Sequence, residues 1–289
     1  MAKKTAKQFP IMENMTVKEV REYLNRKNSI IVPIGAIEQH GYHLPLYTDA
    51  LLATHLARMI GKRADILVTP TFHQSFSGGG LPGTINISPA VMSLVIGDML
   101  ISLVSQGFRN FYLFLCHGGS ENTRALKDAI EVLLRTNPAF SNTMIVLSAA
   151  WNFGGKVAWC KAVSEGDWHA GWLETSIVMA LEPGLVQMDQ LETDPEPLLK
   201  LQIAHPDNYQ HAEKIVDDKL VVPRISQRPD IKVGVMGYPH RASAEIGKKA
   251  VEAIVSDAAR KFSELDAKAD GVYKEIPFHP LPLVLDIVP

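Results

Sequence analysis

The sequence of 289 residues predicts an α/β protein with a mostly parallel central sheet and helices on both faces of it. Two observations predict this class. Short β-branched runs alternate with runs of helical spacing along the first two-thirds of the chain, as in right-handed βαβ units. A hydrophobic fraction of 46% with 21% charged residues is typical of a chain that buries a core. Since ligands bind beyond the carboxyl ends of parallel strands, functional residues should follow strands.

The elements are predicted in chain order from caps, periodicity and β-branched runs. Thr16 and Glu19 form a capping box for a helix that reaches about Lys27. Ser88 caps a long apolar helix that has Pro89 in its first turn. The predicted strands are Ser29–Ile34, Asp65–Thr69, Asn110–Leu115 and Thr143–Ser148. The other predicted helices are Asp49–Lys62, Pro89–Gln106, Glu121–Arg135 with Ser120 as its cap, Trp172–Leu181 and about Ala242–Ala267.

Two regions lack a clear periodic pattern. The stretch from about Gln187 to Pro239 is rich in Pro, Asp and Gln, and we expect loops, short strands and contacts between subunits there. The tail at 275–289 is apolar and rich in proline, so we expect it to pack on its own subunit or on a neighbour. We assign residues 1–289 to one domain.

Charge and targeting features exclude several classes of function. The net charge of −2 is not that of a protein that binds nucleic acid or a membrane surface. Residues 1–8 are basic, but no apolar segment follows them, so we expect no secretory signal. The longest apolar stretch, near residues 90–105, contains Asp98 and is judged too short and too broken to span a membrane. We therefore expect a cytoplasmic protein.

The numbers of cysteines and histidines limit the chemistry of any metal site. Two cysteines cannot form a disulfide framework or a cysteine zinc finger. The ten histidines are the unusual feature of the composition. Any metal ligands must therefore be His, Asp and Glu.

The first cluster of such residues follows the first predicted strand. Glu38 and His40 are two apart, so in extended chain they point to the same side. Asp49 opens the next helix, where it could also serve as a cap. A polar loop followed by a helix cap explains this segment alone equally well.

Two further clusters follow later strands. His117 stands where the chain leaves the third strand, and Gly118 and Gly119 allow a close approach of backbone to a ligand, although a tight turn is the plainer interpretation. His169 and Glu174 are about 140° apart on a helix at 100° per residue, so we place His169 in the turn before the helix and Glu174 in its first turns. A buried Glu174 would be costly unless it is paired or metal-bound; the alternative is a solvated position.

Together these clusters predict a metal site. His and carboxylate ligands suit Zn²⁺, Mn²⁺ or Fe²⁺. Five such ligands exceed the three protein ligands of an ordinary catalytic zinc, and they suit two ions about 3.5–4 Å apart with one bridging carboxylate. The five predicted ligands are Glu38, His40, Asp49, His117 and Glu174.

Four blocks of this sequence resemble the creatininase (creatinine amidohydrolase) family: GAIEQHGYHLPLYTDA, LPGT at 81–84, CHGGSEN and HAGWLETS. They lie in the family's order within about residues 15–265. The resemblance implies a three-layer α/β/α sandwich, a two-metal hydrolytic site and a homohexamer. It implies one ion on Glu38 and His117, the other on His40 and Glu174, Asp49 as the bridge and His169 as the acid/base.

The family that this chain resembles includes creatininase, formamide deformylases, peptide-cleaving members and a hydrolase that opens a diketo-inositol ring. Where creatininase has a ligand glutamate two residues after its histidine, this chain has Gly119, which disfavours creatinine as the substrate. We predict a dinuclear hydrolase, with Zn²⁺ favoured over Mn²⁺ or Fe²⁺, that cleaves a C–C bond of a cyclic diketone such as a dehydro-inosose, as in inositol catabolism. The alternatives are C–N cleavage of a cyclic amide or formamide, and a non-catalytic metal-binding scaffold.

The predicted substrate is small and ring-shaped. Trp151, Trp159, Trp168 and Trp172 lie in one short stretch beside His169, which suggests an aromatic wall over a ring, although a subunit interface explains the cluster nearly as well. The glycine loop after the second strand could present N–H groups to substrate or be a flexible turn. The predicted substrate-binding residues are His43, Gly79, Gly80, Thr84, Gly118, Trp151, Trp168 and Trp172.

Overall fold

The structure, a computed structural model, describes residues 11–269 and contains one parallel sheet and one antiparallel hairpin in that range. The sheet strands are β1 Ser29–Ile34, β2 Leu67–Val68, β3 Asn110–Leu115 and β4 Met144–Ala149, and the hairpin strands are β5 Gln210–Glu213 and β6 Arg224–Gln227. The sheet order is β2-β1-β3-β4, and all three pairings are parallel. The predicted parallel sheet is thus confirmed. The predicted tail contact at 275–289 lies outside the described residues.

Helices connect the strands and cover both faces of the sheet. The α-helices are α1 Val17–Leu24, α2 Thr48–Ala64, α3 Pro89–Gln106, α4 Ser120–Thr136, α5 Trp159–Ser164, α6 Trp172–Leu181, α7 Glu196–Ala204 and α8 Ala244–Ala269. Because successive side chains of a strand point to opposite faces, Ile31 and Tyr112 pack with α2, α6 and α8, whereas Ile30 and Phe111 pack with α1, α3 and α4. These three layers confirm the predicted α/β/α architecture.

Local signals gave most helix starts correctly. The capping box of α1 is present, with Thr16 N donating to Glu19 Oε2 at 2.8 Å and Glu19 N donating to Thr16 Oγ1 at 3.4 Å. Two details of the prediction were wrong. The second strand is only two residues long, because Asp65 has a left-handed φ of 53° and ends α2 instead. Ser120 lies inside α4, and Gly119 occupies the cap position.

The apolar helix α3 corrects another expectation. It has 18 residues and is long and apolar enough to cross a membrane by length and composition alone, contrary to the prediction for residues 90–105. Core helices of soluble proteins have the same composition, so this is weak evidence for a membrane span. In the structure Met92, Ile96 and Leu100 are buried against the core, while Leu94 is 69% exposed.

The irregular stretch from 187 to 239 contains more structure than predicted. It holds α7, which no periodic pattern indicated, and the β5–β6 hairpin, which agrees with the short strands expected there. The buried Asp194, just before α7, accepts hydrogen bonds from the N–H groups of Lys232, Val233 and Gly234 at 2.7–3.0 Å. One carboxylate therefore holds the two ends of this stretch together.

Candidate metal centre

Five buried carboxylate and imidazole side chains meet beyond the carboxyl edge of the sheet. They come from segments that are far apart in sequence. Two follow β1, one lies in the first turn of α2, one follows β3 and one lies in the first turn of α6. Because the strands are parallel, these segments leave the sheet at the same edge. The five are Glu38, His40, Asp49, His117 and Glu174, none of them more than 9% exposed.

Asp49 lies between two histidines. Its Oδ1 is 3.4 Å from His40 Nε2, and its Oδ2 is 3.1 Å from His117 Nδ1. His40 Nε2 is also 3.8 Å from Glu174 Oε2, and His117 Nδ1 is 3.1 Å from Glu38 Oε2. Two groups of three donors result, Glu38–Asp49–His117 and His40–Asp49–Glu174, and within each the ligand atoms lie within 4.8 Å of one another. Either group could hold a metal ion, and Asp49 belongs to both.

His169 borders this cluster from the turn before α6. Its ring lies 4.2 Å from that of His40, and its Nδ1 is 3.9 Å from Glu38 Oε2. Glu38, His40 and His169 form a third group of donors close enough to share an ion. His169 Nε2 is 2.7 Å from the main-chain oxygen of Gln39 and 3.0 Å from the side-chain amide nitrogen of the same residue, and Nδ1 faces the carboxylate of Glu38.

Unpaired buried atoms indicate that the cluster fits a cation. Glu38 Oε2, His40 Nε2 and His117 Nε2 are buried and have no hydrogen-bond partner. The opposite atom is fixed in two of these residues. His40 Nδ1 donates to the main-chain oxygen of Glu38 at 3.1 Å, and Glu38 Oε1 accepts from Ser77 Oγ at 2.6 Å. Glu38 and His40 are thus oriented by the protein on one side and open on the other, as metal ligands are.

Burial and the close approach of opposite charges shift the pKa values of the side chains in this cluster. Burial would lower the pKa of His40, but the carboxylates of Asp49 and Glu174 outweigh it and raise that pKa to about 10. The pKa of His117 is likewise raised against burial by Glu38 and Asp49. Burial would raise the pKa of Asp49, but the two histidines lower it below its usual range. Burial raises the pKa of Glu174. Without a metal, protons on the histidines balance the carboxylates.

Asp167 orients the helix that carries Glu174. Its buried carboxylate accepts from the N–H groups of Trp172 at 2.8 Å, Leu173 at 3.0 Å and Tyr238 at 3.3 Å. The N–H groups of Trp172 and Leu173 belong to the first turn of α6, where backbone N–H groups have no partner within the helix. Glu174 then accepts from Ala170 N at 2.7 Å through Oε2. The sequence argument did not single out Asp167, although a carboxylate before a helix is a recognisable capping signal.

A cavity of about 410 Å³ opens onto the cluster. Glu38, Asp49, His117, His169 and Glu174 line it, and so do Trp151, Trp159 and Trp168. The irregular stretch supplies a further part of the wall, namely Gln202, Pro206, Asp207, Tyr209, Gln210, Gln227, Ile231, Gly234 and Met236. A volume of this size suits a small molecule.

The sequence model of the creatininase family, described as creatinine amidohydrolase, matches residues 13–262. The chain belongs to the creatininase family. This confirms the resemblance that its four sequence blocks indicated.

Three curated relatives have names that point to different substrates. Creatinine amidohydrolase from Pseudomonas putida is 30% identical over 181 residues, covering 57% of this chain and 69% of that protein. The mycofactocin precursor peptide peptidase of Mycobacterium tuberculosis is 27% identical and covers 84% of this chain and 88% of its own length. The 3-dehydro-scyllo-inosose hydrolase of Thermotoga maritima is 24% identical, and the match covers 84% of this chain and 79% of that protein. All three are hydrolases, and this creatininase-family chain is a metal-dependent hydrolase as predicted.

Solved creatininase structures share the fold. A manganese form of creatininase aligns with a TM-score of 0.70 at 22% identity, covering 89% of this chain and 99% of that one. A mutant creatininase of the Zn–Zn type aligns with a TM-score of 0.69 at 23% identity, covering 88% of this chain and 97% of that one. These likenesses support the creatininase-like α/β/α fold.

The cavity of this creatininase-family protein contains half of the predicted substrate-binding residues. Gly79, Gly118, Trp151 and Trp168 line it, and His43, Gly80, Thr84 and Trp172 do not. Gly80 N donates to Gln227 Oε1, and Thr84 Oγ1 accepts from Gln39 N at 3.1 Å. These two residues therefore bind the protein's own groups, which corrects the expectation that they face substrate.

His43 and Trp172 lie behind the cavity. His43 Nε2 is 3.0 Å from Thr175 Oγ1, and burial together with the nearby His40 charge lowers the pKa of His43 to about 4. A neutral His43 thus packs against α6 instead of facing the cavity. Trp172 is 3% exposed and lies in the first turn of α6, with Lys161 and Arg241 over its ring. Trp159 takes its place in the wall, although it was not among the predicted substrate-binding residues.

Proposed function

We propose that this protein is a dinuclear metal-dependent hydrolase. One ion would be held by Glu38, Asp49 and His117, and the other by His40, Asp49 and Glu174. The observation that carries this proposal is the placement of Asp49, whose two oxygens face two different histidines at 3.4 and 3.1 Å. A carboxylate in this position suits a bridge between two ions.

The donor set narrows the choice of metal. Imidazole and carboxylate ligands suit Zn²⁺, Mn²⁺ and Fe²⁺. Cys116 is buried near the site, and burial together with Asp49 raises the pKa of its thiol. A thiolate ligand is therefore disfavoured. The related solved structures are a manganese form and a Zn–Zn form. We infer zinc as the first choice and manganese or iron as the alternatives.

The chain's own residues divide the work of hydrolysis. Bound divalent ions would supply Lewis acidity toward a carbonyl oxygen and a more acidic water. Gln39 holds His169 through Nε2, and Nδ1 faces the ligand cluster, where it would take a proton from water and return it to the departing atom. The reaction consumes one water molecule. The hydroxyl group of that water ends on the carbonyl carbon, and its proton ends on the carbon or nitrogen atom that leaves.

We infer that the substrate is a small cyclic carbonyl compound and that the bond cleaved is C–C. The cavity of about 410 Å³ and its three tryptophans suit a ring. The 3-dehydro-scyllo-inosose hydrolase among the relatives covers 84% of the chain, which makes a dehydro-inosose a specific candidate. A Cβ at Gly119 would lie 2.7 Å from His117 Nε2, so a creatininase-type glutamate does not fit at this position without moving His117.

The second candidate is hydrolysis of a C–N bond. The creatinine amidohydrolase is the more identical relative at 30%, and the mycofactocin peptidase matches over 84% of the chain. The same ions and the same His169 would serve an amide, with the proton delivered to nitrogen. The candidate amides are a cyclic amide, a formamide and a peptide bond.

A comparison of substrates separates these functions. The protein loaded with Zn²⁺ or Mn²⁺ is assayed with 3-dehydro-scyllo-inosose, creatinine and a short peptide, with Asp49→Ala as the inactive control. We expect acid release from the diketone at a rate at least tenfold above the other two. Faster turnover of creatinine or peptide would contradict C–C cleavage and support the second candidate. Tight metal binding without turnover of any substrate would favour the scaffold alternative.

We further propose a homo-oligomer, a hexamer by family resemblance, that works in the cytoplasm. The hairpin and the loop between its strands expose large apolar side chains that a neighbouring copy could cover: Ile215, Val216, Leu220, Val222 and Ile225. The free thiols of Cys116 and Cys160 suit a reducing compartment. Light scattering of the protein beside an Ile215→Asp, Leu220→Asp variant tests the assembly, and a monomeric wild type would contradict it.

A further inference from the structure

Tyr209 carries a hydroxyl group that the proposed reaction does not use. The residue ends the short 3₁₀ turn Pro206–Tyr209, directly before β5, and it lines the cavity. Its main-chain oxygen accepts from Arg228 N at 3.0 Å, which fixes the backbone at the base of the hairpin. Within residues 11–269 the hydroxyl has no hydrogen-bond partner, and it is not one of the fully buried unpaired atoms of that range, so it keeps accessible surface. A ligand can therefore reach it.

The hydroxyl lies against the glycine loop that follows the second strand. A Cβ at Gly78 would be 3.0 Å from Tyr209 Oη, and Gly78 has a positive φ of 82°. Glycine at this position thus leaves room for the phenol. Ser77 and Gly79 flank Gly78, and both line the cavity. The hydroxyl end of Tyr209 is therefore part of the cavity wall.

The two oxygens of Glu38 indicate which part of a substrate would meet the phenol. Glu38 Oε2 faces His117 Nδ1 at 3.1 Å within the ligand cluster, whereas Glu38 Oε1 accepts from Ser77 Oγ at 2.6 Å. Tyr209 meets the glycine loop on the Ser77 side of this carboxylate. The reacting carbonyl belongs at the ligand cluster, so the phenol would contact a second oxygen of the substrate.

The charges around the phenol limit what it can bind. Burial and the carboxylates of Glu121, Glu38 and Asp207 raise the pKa of Tyr209 to about 12, so the hydroxyl keeps its proton near neutral pH. Among the side chains that the structure describes in residues 11–269, no lysine or arginine lines the cavity. An anionic group beside Tyr209 would meet these carboxylates without a basic side chain to balance them. An uncharged oxygen suits the position better.

We propose that Tyr209 is a substrate-binding residue whose O–H group donates a hydrogen bond to a second, uncharged oxygen of the substrate. That oxygen is distinct from the carbonyl oxygen of the bond that is cleaved. This assignment rests on the proposed hydrolase function and adds a group that the substrate must carry. It holds for C–C and for C–N cleavage, because substrates of both kinds can carry such an oxygen.

The test uses Tyr209→Phe, which removes only the hydroxyl group. Zinc-loaded wild type, Tyr209→Phe and the control Tyr238→Phe are titrated by saturation-transfer NMR with 3-dehydro-scyllo-inosose, a short peptide with blocked ends, and creatinine. For a compound that is hydrolysed, KM is measured instead. Tyr238 is partly buried, as Tyr209 is, and does not line the cavity.

Tyr209→Phe should weaken binding of the inosose or the peptide, whichever the wild type binds, by about five- to tenfold, as the loss of one neutral hydrogen bond does. The control should bind both like wild type. Creatinine has a single oxygen, so its affinity should be equal in all three proteins. The zinc content and melting temperature of Tyr209→Phe should match those of wild type, because the hydroxyl has no partner within residues 11–269.

The outcomes separate this proposal from the reaction itself. Unchanged affinity in Tyr209→Phe, an equal loss of affinity for creatinine, a lower melting temperature or zinc content of that variant, or no binding of inosose and peptide to wild type would each overturn the proposal. Weaker binding in Tyr209→Phe without hydrolysis by wild type would support the role of Tyr209 and refute the hydrolase function. Hydrolysis with the same KM in both proteins would do the reverse.

Discussion

Asp49 Oδ2 lies 3.1 Å from His117 Nδ1, although 68 residues separate the two in sequence. Asp49 opens the helix after the first strand, and His117 follows the third strand, which is the neighbour of the first in the sheet. The parallel pairing of these strands brings the two residues to one edge. The other oxygen of Asp49 faces His40, so one side chain links the two groups of candidate ligands.

Removing a ligand that belongs to one group should remove one ion. We expect His117→Ala and Glu174→Ala each to keep about one tight ion per chain, and each to be inactive. Loss of even a supporting partner of a ligand costs about 10–100-fold in affinity, so loss of a ligand should cost more. Metal content by mass spectrometry checks this. His55→Ala is the control, since His55 pairs with Glu182 at 3.2 Å outside both groups. Retention of both ions in either variant would contradict the assignment.

Metal affinity should rise with pH. In the metal-free protein the pKa of His40 is about 10 and that of His117 is raised as well, so near pH 7 both carry protons that a metal must displace. Each displaced proton increases affinity up to about tenfold per pH unit until the pH reaches the raised pKa. Calorimetric titration of Zn²⁺ in two buffers of different ionisation enthalpy counts the protons released. Affinity independent of pH between 6 and 9 would show that the histidines are not protonated in the metal-free site.

His169 should affect the reaction and not the metal content. We expect His169→Gln to lower kcat by about 10²–10⁴-fold, the usual contribution of a positioned acid/base. Both ions should remain, because the two groups that share Asp49 do not include His169. His205→Gln, at an exposed position, is the control. If His169→Gln instead loses an ion, His169 is a ligand through its group with Glu38 and His40.

Adjacent glycines after the third strand offer a matched pair of substitutions. A Cβ at Gly119 would meet His117 Nε2 at 2.7 Å, whereas a Cβ at Gly118 would meet nothing within 4 Å. We expect Gly119→Ala to displace the His117 ring and lower metal affinity more than tenfold, and Gly118→Ala to keep the wild-type metal content. Equal metal affinity in the two variants would show that the His117 ring is free to move away, and that Gly119 does not exclude a side chain here.

The candidate ligands could be predicted from sequence because they depend on local signals and one rule of topology. Glu38, His40 and His117 stand directly after strands, and parallel strands end at one edge. The burial of Glu174, at 9% exposure, also agrees with the argument that it lies in the first turn of an apolar helix. The assignment of roles to these residues remains a prediction.

The far wall of the cavity could not be predicted. Gln202, Tyr209 and Gln227 come from a stretch without periodic pattern, and long-range bonds such as those of Asp194 hold it in place. The predicted substrate-binding residues that do not line the cavity were chosen wrongly for a related reason. Gly80 and Thr84 lie in the glycine loop, but their partners lie outside it. Gly80 N donates to Gln227 Oε1, and Thr84 Oγ1 accepts from Gln39 N. Sequence spacing does not contain such tertiary contacts.

The metal content of wild type beside Asp49→Ala tests the central claim most directly. Each protein is loaded with excess Zn²⁺, desalted and measured by mass spectrometry, with circular dichroism to confirm folding. A shared bridge predicts two ions per chain in wild type and the loss of both in Asp49→Ala, since Asp49 belongs to both groups of ligands. One ion per chain in wild type, or a folded Asp49→Ala protein that keeps its ions and its full activity, would contradict the account.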